Sequence, residues 1–79
     1  MTTSDILEKT TKLLSEITKK LDSIPNENKL EYHEKTDSYI ATIRFFLCEI
    51  KEPTEQNIKR AEQELIAFEK FAFDAYKIY

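Results

Sequence analysis

The sequence predicts an all-α protein with three helices, and two observations support this fold class. The chain of 79 residues contains no glycine, and the tight hairpins of a β-sheet depend on glycine in their turns. Apolar side chains recur at spacings of three and four along the chain, which is the period of a helix. Prolines at positions 25 and 53 divide this pattern, because the residue before a proline disfavours the helical conformation. We therefore expect one domain, residues 1–79, with helices at about 4–23, 29–51 and 54–78.

The first predicted helix carries an apolar seam along one side. Ser4, or Asp5 paired with Glu8, is suited to cap its start, and Pro25 ends it. The seam is predicted to contain Leu7, Leu14, Ile17, Leu21 and Ile24, with Thr10 in the gap and Ile6 and Leu13 at the edge.

The second predicted helix follows a turn at residues 26–28. Asn28, with Glu31 three residues later, is a typical start signal. Cys48 lies in an apolar run and is interpreted as a buried small hydrophobe. The seam is predicted to contain Leu30, His33, Thr36, Ile40, Ile43, Leu47 and Ile50, with Tyr32, Tyr39 and Phe46 along one flank.

The third predicted helix begins after the cap residue Thr54 and becomes apolar on almost every face toward its end. A helix that is apolar all round is enclosed by protein, and one short chain offers little protein to enclose it. We therefore expect a symmetric homo-oligomer, in which the second and third helices form an antiparallel hairpin. The apolar stripe of the third helix contains Ile58, Ala61, Leu65, Phe68, Ala72, Ala75 and Tyr79. The predicted oligomer interface contains Phe68, Phe71, Phe73, Tyr76 and Ile78.

Charge and composition restrict the class of partner. The net charge of −3 argues against DNA or RNA, which require a basic surface, and against an anionic membrane surface. The sequence has no apolar stretch long enough to span a bilayer, and its first residues do not resemble a signal peptide. The expected location is the cytoplasm.

The sequence contains no recognisable catalytic constellation. His33 is the single histidine and shares a helix face with Asp37, which would supply half a metal site at most. No nucleophile and base occur in a typical arrangement. We expect no catalytic residues, no metal and no cofactor, and therefore no enzyme.

Aromatic and basic side chains near two helix ends suggest a binding site instead. Tyr32 and Lys35, and likewise Tyr76 and Lys77, place an aromatic face and a cation within one helical turn. Such a cluster can hold a flat anionic ligand such as a nucleotide. It can equally be an ordinary amphipathic rim whose lysine stems cover apolar surface.

Residues 29–79 resemble the helical hairpin of phage sponge proteins, which sequester the cyclic oligonucleotide signals of bacterial CBASS defence. In that family a Glu-x-His-Glu element opens a helix, a proline break follows, and a Leu- and Ala-rich helix with a central tryptophan ends the hairpin. Ile66 and Ala67 stand where the family has paired acids, and Glu55 and Gln56 where it has a basic residue. The matching residues are Glu31-Tyr32-His33-Glu34, Pro53-Thr54-Glu55, and Leu65, Ala72 and Ala75, with Phe71 in place of the tryptophan.

The resemblance implies a non-enzymatic oligomer with ligand pockets between subunits. The leading hypothesis is an intracellular, phage-encoded binder that sequesters a cyclic nucleotide and so acts against host defence. The alternative is a helical protein–protein inhibitor or immunity-type module whose aromatic end binds a host protein. A concave site with basic side chains would favour the ligand, and a flat exposed patch would favour the protein partner.

Overall fold

The computed structural model describes residues 2–49 and 53–78 and shows three helices. A 3₁₀ turn follows the first helix, and a π-helical segment continues the second. No strand occurs among the described residues, so the prediction of an all-α chain with three helices is confirmed. The elements are α1, Thr3–Lys20, the 3₁₀ turn Leu21–Ser23, α2, Asn26–Arg44, the π segment Phe45–Glu49, and α3, Glu55–Tyr76.

Helix α1 begins earlier than predicted, because Thr2 caps it rather than Ser4 or Asp5. The Thr2 hydroxyl accepts a hydrogen bond from the Asp5 N–H at 3.2 Å. The Asp5 carboxylate accepts one from the Thr2 N–H, also at 3.2 Å. This reciprocal capping box satisfies two backbone N–H donors at once. It explains why Thr2, and not one of the neighbouring residues that could also cap a helix, is the N-cap residue.

The connection between α1 and α2 lies earlier in the chain than predicted, at residues 21–25 instead of 24–28. Ile24, the residue before Pro25, is extended with φ −89° and ψ 133°, as expected before a proline. Helix α2 then begins at Asn26, and the Asn28 N–H donates to the Pro25 carbonyl at 2.9 Å. The predicted turn at residues 26–28 is therefore the first turn of α2, and the prediction that Asn28 marks the start of this helix was wrong.

The predicted seam of α1 is confirmed for Ile17, Ile24 and the gap residue Thr10, but Ile6 rather than Leu7 is its first buried residue. Ile6 is fully buried, whereas Leu7 and Leu14 are half-buried and Leu21 is exposed. Adjacent helical residues point about 100° apart, so burying Ile6 turns Leu7 toward the edge. The buried residues of this segment are Ile6, Thr10, Ile17 and Ile24.

The early part of the α2 seam also differs from the prediction. Leu30 is 69% exposed and His33 is exposed as well, whereas Tyr32 is packed against the core. Residues two apart on a helix point about 200° apart, so the inward position of Tyr32 turns Leu30 into solvent. Thr36, Ile43 and Leu47 are buried as predicted, and Ile50 lies outside the described residues.

The prediction that Cys48 is buried was wrong, because its side chain is exposed. Cys48 directly follows the buried Leu47, and neighbouring positions on a helix point to different sides. The π segment at this point is a change of helical pitch that the periodicity of the sequence did not indicate.

Helix α3 supplies the largest part of the core. Its Thr54 cap is as predicted, with the Thr54 hydroxyl accepting from the Asn57 N–H at 3.2 Å. Lys77 ends the helix with a positive φ of 57°, and its N–H donates to the Phe73 carbonyl at 3.1 Å. Tyr79 lies outside the described residues. The buried positions of α3 are Ala61, Leu65, Phe68, Ala72 and Tyr76.

The aromatic contacts show how α2 lies against α3. Tyr32, early in α2, contacts Tyr76 at the end of α3. In the π segment that continues α2, the Phe46 ring lies 5.9 Å from the guanidinium of Arg60, which is near the start of α3. Helix α1 packs against α3 as well, so α3 lies at the centre of the protein. None of the helices in the described part of the chain is both long and apolar enough to cross a membrane.

Candidate functional site

A shallow, open cleft of about 450 Å³ lies between α2 and α3, and three of its eight lining residues are aromatic. Helix α2 supplies positions i, i+3 and i+7 on one face, and α3 supplies positions i, i+3, i+4, i+7 and i+8 on one face. Two of the α3 positions are alanines, whose small side chains leave room between the helices. We call this site the aromatic cleft, and it is lined by Tyr32, Lys35, Tyr39, Ala67, Lys70, Phe71, Asp74 and Ala75.

Phe71 is the centre of the ring cluster in the aromatic cleft. Its centroid lies 5.9 Å from that of Tyr32, with the two rings nearly perpendicular at 84°. It lies 5.6 Å from Tyr39, with the rings tilted by 34°, and 5.8 Å from Tyr76 at 89°. Edge-to-face pairs of this kind add to the stability of packed rings. The half-buried Phe71 is therefore fixed from three sides, and its remaining surface contributes to the wall of the cleft.

Tyr39 connects the aromatic cleft to the core. Its ring is stacked on the fully buried Phe68 ring, with centroids 5.4 Å apart and planes at 18°. Tyr39 thus has one face on the core and lines the cleft with its other atoms. A ring held in this way presents a rigid surface to a ligand, because little side-chain freedom remains to be lost on binding.

Two ammonium groups and one carboxylate belong to the lining of the aromatic cleft. The Lys35 Nζ lies 6.0 Å from the Phe71 centroid and 3.2 Å from Glu31 Oε1. Lys70 and Asp74 come from α3 and are exposed. The cleft can therefore attract an anion through the lysines, while Asp74 can accept a hydrogen bond from a donor on the same ligand.

The four predicted ligand-binding residues do not all reach the aromatic cleft. Tyr32 and Lys35 line it. Tyr76 is only 2% exposed and lies behind Tyr32 and Phe71, so it supports those rings rather than offering a face of its own. Lys77 is exposed at the end of α3 and is not among the lining residues.

Sequence reasoning missed four polar or aromatic members of the cleft, which are Tyr39, Lys70, Phe71 and Asp74. A usable signal existed for Tyr39, because it follows Tyr32 by seven residues and Lys35 by four, on the same helix face. The α3 residues could not be assigned from the sequence. Whether these residues line the cleft depends on which surface of α3 contacts α2, and a helix end that is apolar on nearly every face gives no indication of this.

The five predicted interface residues occupy different environments in the single chain. Phe68 and Tyr76 are buried by their own chain. Phe71 and Ile78 are half-buried and pack against the core, and Phe73 is 47% exposed. One chain thus encloses more of the end of α3 than we expected, and Phe73 is the most exposed of the five.

A second concavity, of about 890 Å³, lies between α1 and α3. Its apolar part consists of Leu13, Phe73 and Ile78. Around these lie charged side chains of both signs, with lysines in the majority. We call this site the α1–α3 groove, and its charged residues are Lys9, Lys12, Glu16, Glu69 and Lys70.

The predicted His33–Asp37 pair lies on the outer surface. The His33 Nε2 is 3.1 Å from Asp37 Oδ2, and both side chains are largely exposed. Among the described residues, no three or more side chains of His, Cys, Asp or Glu are grouped closely enough to hold a metal ion.

The chain was also compared with known proteins. No protein-family model, no curated protein and no solved structure matched it.

Proposed function

We propose that this protein is a non-enzymatic binder that holds a flat anionic ligand, such as a nucleotide, in the aromatic cleft. One observation carries the proposal. Aromatic rings and two lysines from different helices line the same shallow cleft, Tyr32 and Lys35 from α2 with Lys70 and Phe71 from α3.

Each part of such a ligand has a counterpart in the cleft. A base can pack against the ring surfaces of Phe71 and Tyr39, and stacking of a base on an aromatic side chain contributes roughly 1–3 kcal/mol. A phosphate can contact Lys35 and Lys70. Lys35 has an ion pair with Glu31 at 3.2 Å, but both groups are exposed and such pairs contribute only about 0–1 kcal/mol. The lysine can therefore turn toward a ligand at little cost.

Binding without turnover is the expected outcome in this cleft. Its lining contains no Ser, Thr, Cys or His, the residues that most often act as nucleophile or general base. The acidic member, Asp74, is exposed, and the lining lacks the nucleophile–base pair that hydrolysis would use.

The narrowest form of the proposal is a phage-encoded sponge in the host cytoplasm that sequesters a cyclic nucleotide. This ligand class is supplied by the resemblance of residues 29–79 to the anti-CBASS sponges. The ring contacts agree with the hairpin of that family, because Tyr32 contacts Tyr76 while Phe46 lies near Arg60. We infer from them that α2 and α3 run antiparallel.

Self-association into a symmetric homo-oligomer is part of the same proposal. Several large apolar side chains remain exposed on the single chain, and a small domain gains stability when such surface is covered. The exposed set consists of Leu21, Leu30, Phe45, Ile66 and Phe73.

A second candidate is a helical inhibitor or immunity-type module that binds a host protein. The observation in its favour is the α1–α3 groove, which is larger than the aromatic cleft and contains the exposed Phe73. An apolar groove between two helices is a typical receptor for a helix of a partner protein.

Calorimetric titration with a panel of cyclic di- and trinucleotides tests the leading proposal, followed by chromatography of the recovered ligand. We expect saturable heat for at least one nucleotide and recovery of that nucleotide intact. An absence of heat across the panel would favour the protein partner, and a hydrolysed product would show that the chain is an enzyme.

A further inference from the structure

The solvent face of α2 carries an apolar side chain between two acids. Leu30 is 69% exposed. Glu27 and Glu34 lie three residues before it and four residues after it, which places all three side chains on one face of the helix. Neither carboxylate forms an ion pair with another described residue. We call this surface the Leu30 ridge, and it lies on the opposite side of α2 from the buried Thr36 and Ile43.

The α1–α3 groove has the complementary properties. Its apolar part is formed by Leu13, Phe73 and Ile78. Its charged residues are three lysines, Lys9, Lys12 and Lys70, and two glutamates, Glu16 and Glu69. The groove therefore carries a net positive charge, whereas the two acids give the ridge a negative one.

We propose that the Leu30 ridge of one copy of the chain docks into the α1–α3 groove of the next copy. Leu30 would enter the apolar part of the groove, while Glu27 and Glu34 would face its lysines. Opposite charges around an apolar contact select this pairing over pairing of two ridges or two grooves. This inference rests on the proposed self-association and specifies which surfaces carry it.

The contact is head to tail, because the ridge and the groove share no residue. A contact between different surfaces generates a closed ring or an open helical assembly, whereas a contact of one surface with itself stops at a dimer. For the symmetric oligomer proposed above, a ring is the consistent outcome. The wild-type protein is then expected to have a mass above that of a dimer.

Two surface variants separate the ridge from the groove. Leu30→Asp removes the apolar contact and adds an acid on an exposed position, so folding is unaffected. The double variant K9E/K12E reverses the charge at the groove through two exposed side chains. Each variant retains one functional surface, and analytical ultracentrifugation measures the mass of each alone and of an equimolar mixture.

We expect each variant alone to be a monomer of 9.4 kDa and the mixture to double that mass, since one intact ridge meets one intact groove. Ile66→Asp is the matched control, because Ile66 is 57% exposed but belongs to neither surface, and it should keep the wild-type mass. Circular dichroism verifies that all variants are helical.

Each of the other outcomes would overturn a different part of the proposal. Variants that keep the wild-type mass would show that the oligomer uses other surfaces. Variants that are monomeric both alone and when mixed would exclude head-to-tail docking. A wild-type monomer at tens of micromolar would refute self-association itself, while leaving ligand binding by the aromatic cleft to its own calorimetric test.

Discussion

The rings of Tyr32 and Tyr76 lie 5.6 Å apart, centroid to centroid, and meet edge to face at 63°. One ring lies in the second turn of α2 and the other in the last turn of α3, so this contact links the early part of α2 to the end of α3. Both rings also contact Phe71. The aromatic cleft is therefore built on a closed triangle of rings that fixes the position of its wall.

Phe71→Ala is expected to destabilise the protein substantially. The half-buried ring contacts three other aromatic side chains, and loss of a fully buried phenylalanine costs roughly 3–5 kcal/mol. We expect a smaller cost of about 2–3 kcal/mol for Phe71 because part of the ring is exposed. Denaturant unfolding measures this, with Phe45→Ala as the control, since Phe45 is 49% exposed. Equal stability of the two variants would show that the ring cluster does not support the fold.

Thr10→Val is expected to be neutral or stabilising, although Thr10 is buried. Its hydroxyl donates to the Ile6 carbonyl at 2.8 Å, and that carbonyl also serves the helical hydrogen bond of α1. A valine would place a methyl group in the core with no unsatisfied donor, and such a replacement is nearly neutral or favourable.

Thr10→Ser is the companion variant, because it keeps the hydroxyl and loses the methyl group. We expect it to lower the free energy of unfolding by about 0.8 kcal/mol, the contribution of one buried methylene-sized group. The explanation would be contradicted if the valine variant were the less stable of the two.

Lys77→Gly is expected to stabilise the protein. Lys77 ends α3 with a φ of 57° and a ψ of 41°, a region in which glycine is favoured over residues with a Cβ atom. The gain should be about 0.5–1 kcal/mol by thermal or chemical unfolding. Glu69→Gly, in the middle of the same helix, should cost a similar amount. A loss of stability for both variants would mean that the α3 terminus is not left-handed in solution.

The capping box of α1 predicts a pH dependence. Hydrogen bonds from the Thr2 N–H and then the Thr2 hydroxyl lower the pKa of Asp5 below its ordinary value of 3.8. The charged carboxylate is therefore favoured by folding, and its contribution is present above the unfolded pKa and disappears as the pH falls through the folded pKa.

Melting temperatures of the wild type and Asp5→Ala test this directly. The wild-type advantage should be present at about pH 6 and decrease as the pH is lowered below 3.8, the ordinary pKa of the carboxyl group. A difference that stayed constant over this range would show that the Asp5 charge does not contribute.

The sequence predicted the helices better than it predicted their facing surfaces. Thr54 could be recognised as a cap because it follows a proline break and precedes an acidic first turn. The inward positions of Tyr32 and Ile6 could not be recognised, since they depend on which neighbour each helix meets. Ile6 takes the buried position expected for Leu7 at the start of the α1 seam, and the inward position of Tyr32 turns Leu30 into solvent.

The residues of the candidate site could likewise be predicted from the sequence only in part. Tyr32 and Lys35 were identified because an aromatic face and a cation within one turn are visible in the sequence. Tyr76 shares that local pattern with Lys77, yet it is buried, since the end of α3 packs under Tyr32. Phe71 and Lys70 join the cleft only through the packing of α3 on α2, which no local pattern encodes.

The central claim is that the aromatic cleft binds a flat anionic ligand through its rings and lysines. Its most direct test is calorimetric titration of cyclic nucleotides into the wild type and the double variant Lys35→Gln/Lys70→Gln, with Lys19→Gln/Lys20→Gln as a control outside the cleft. Exposed charge contacts contribute roughly 0.2–1 kcal/mol each, so losing two should weaken binding about tenfold. We predict wild-type affinity for the control and this loss for the cleft variant. Equal affinity of all three proteins, or no binding by the wild type, would contradict the account.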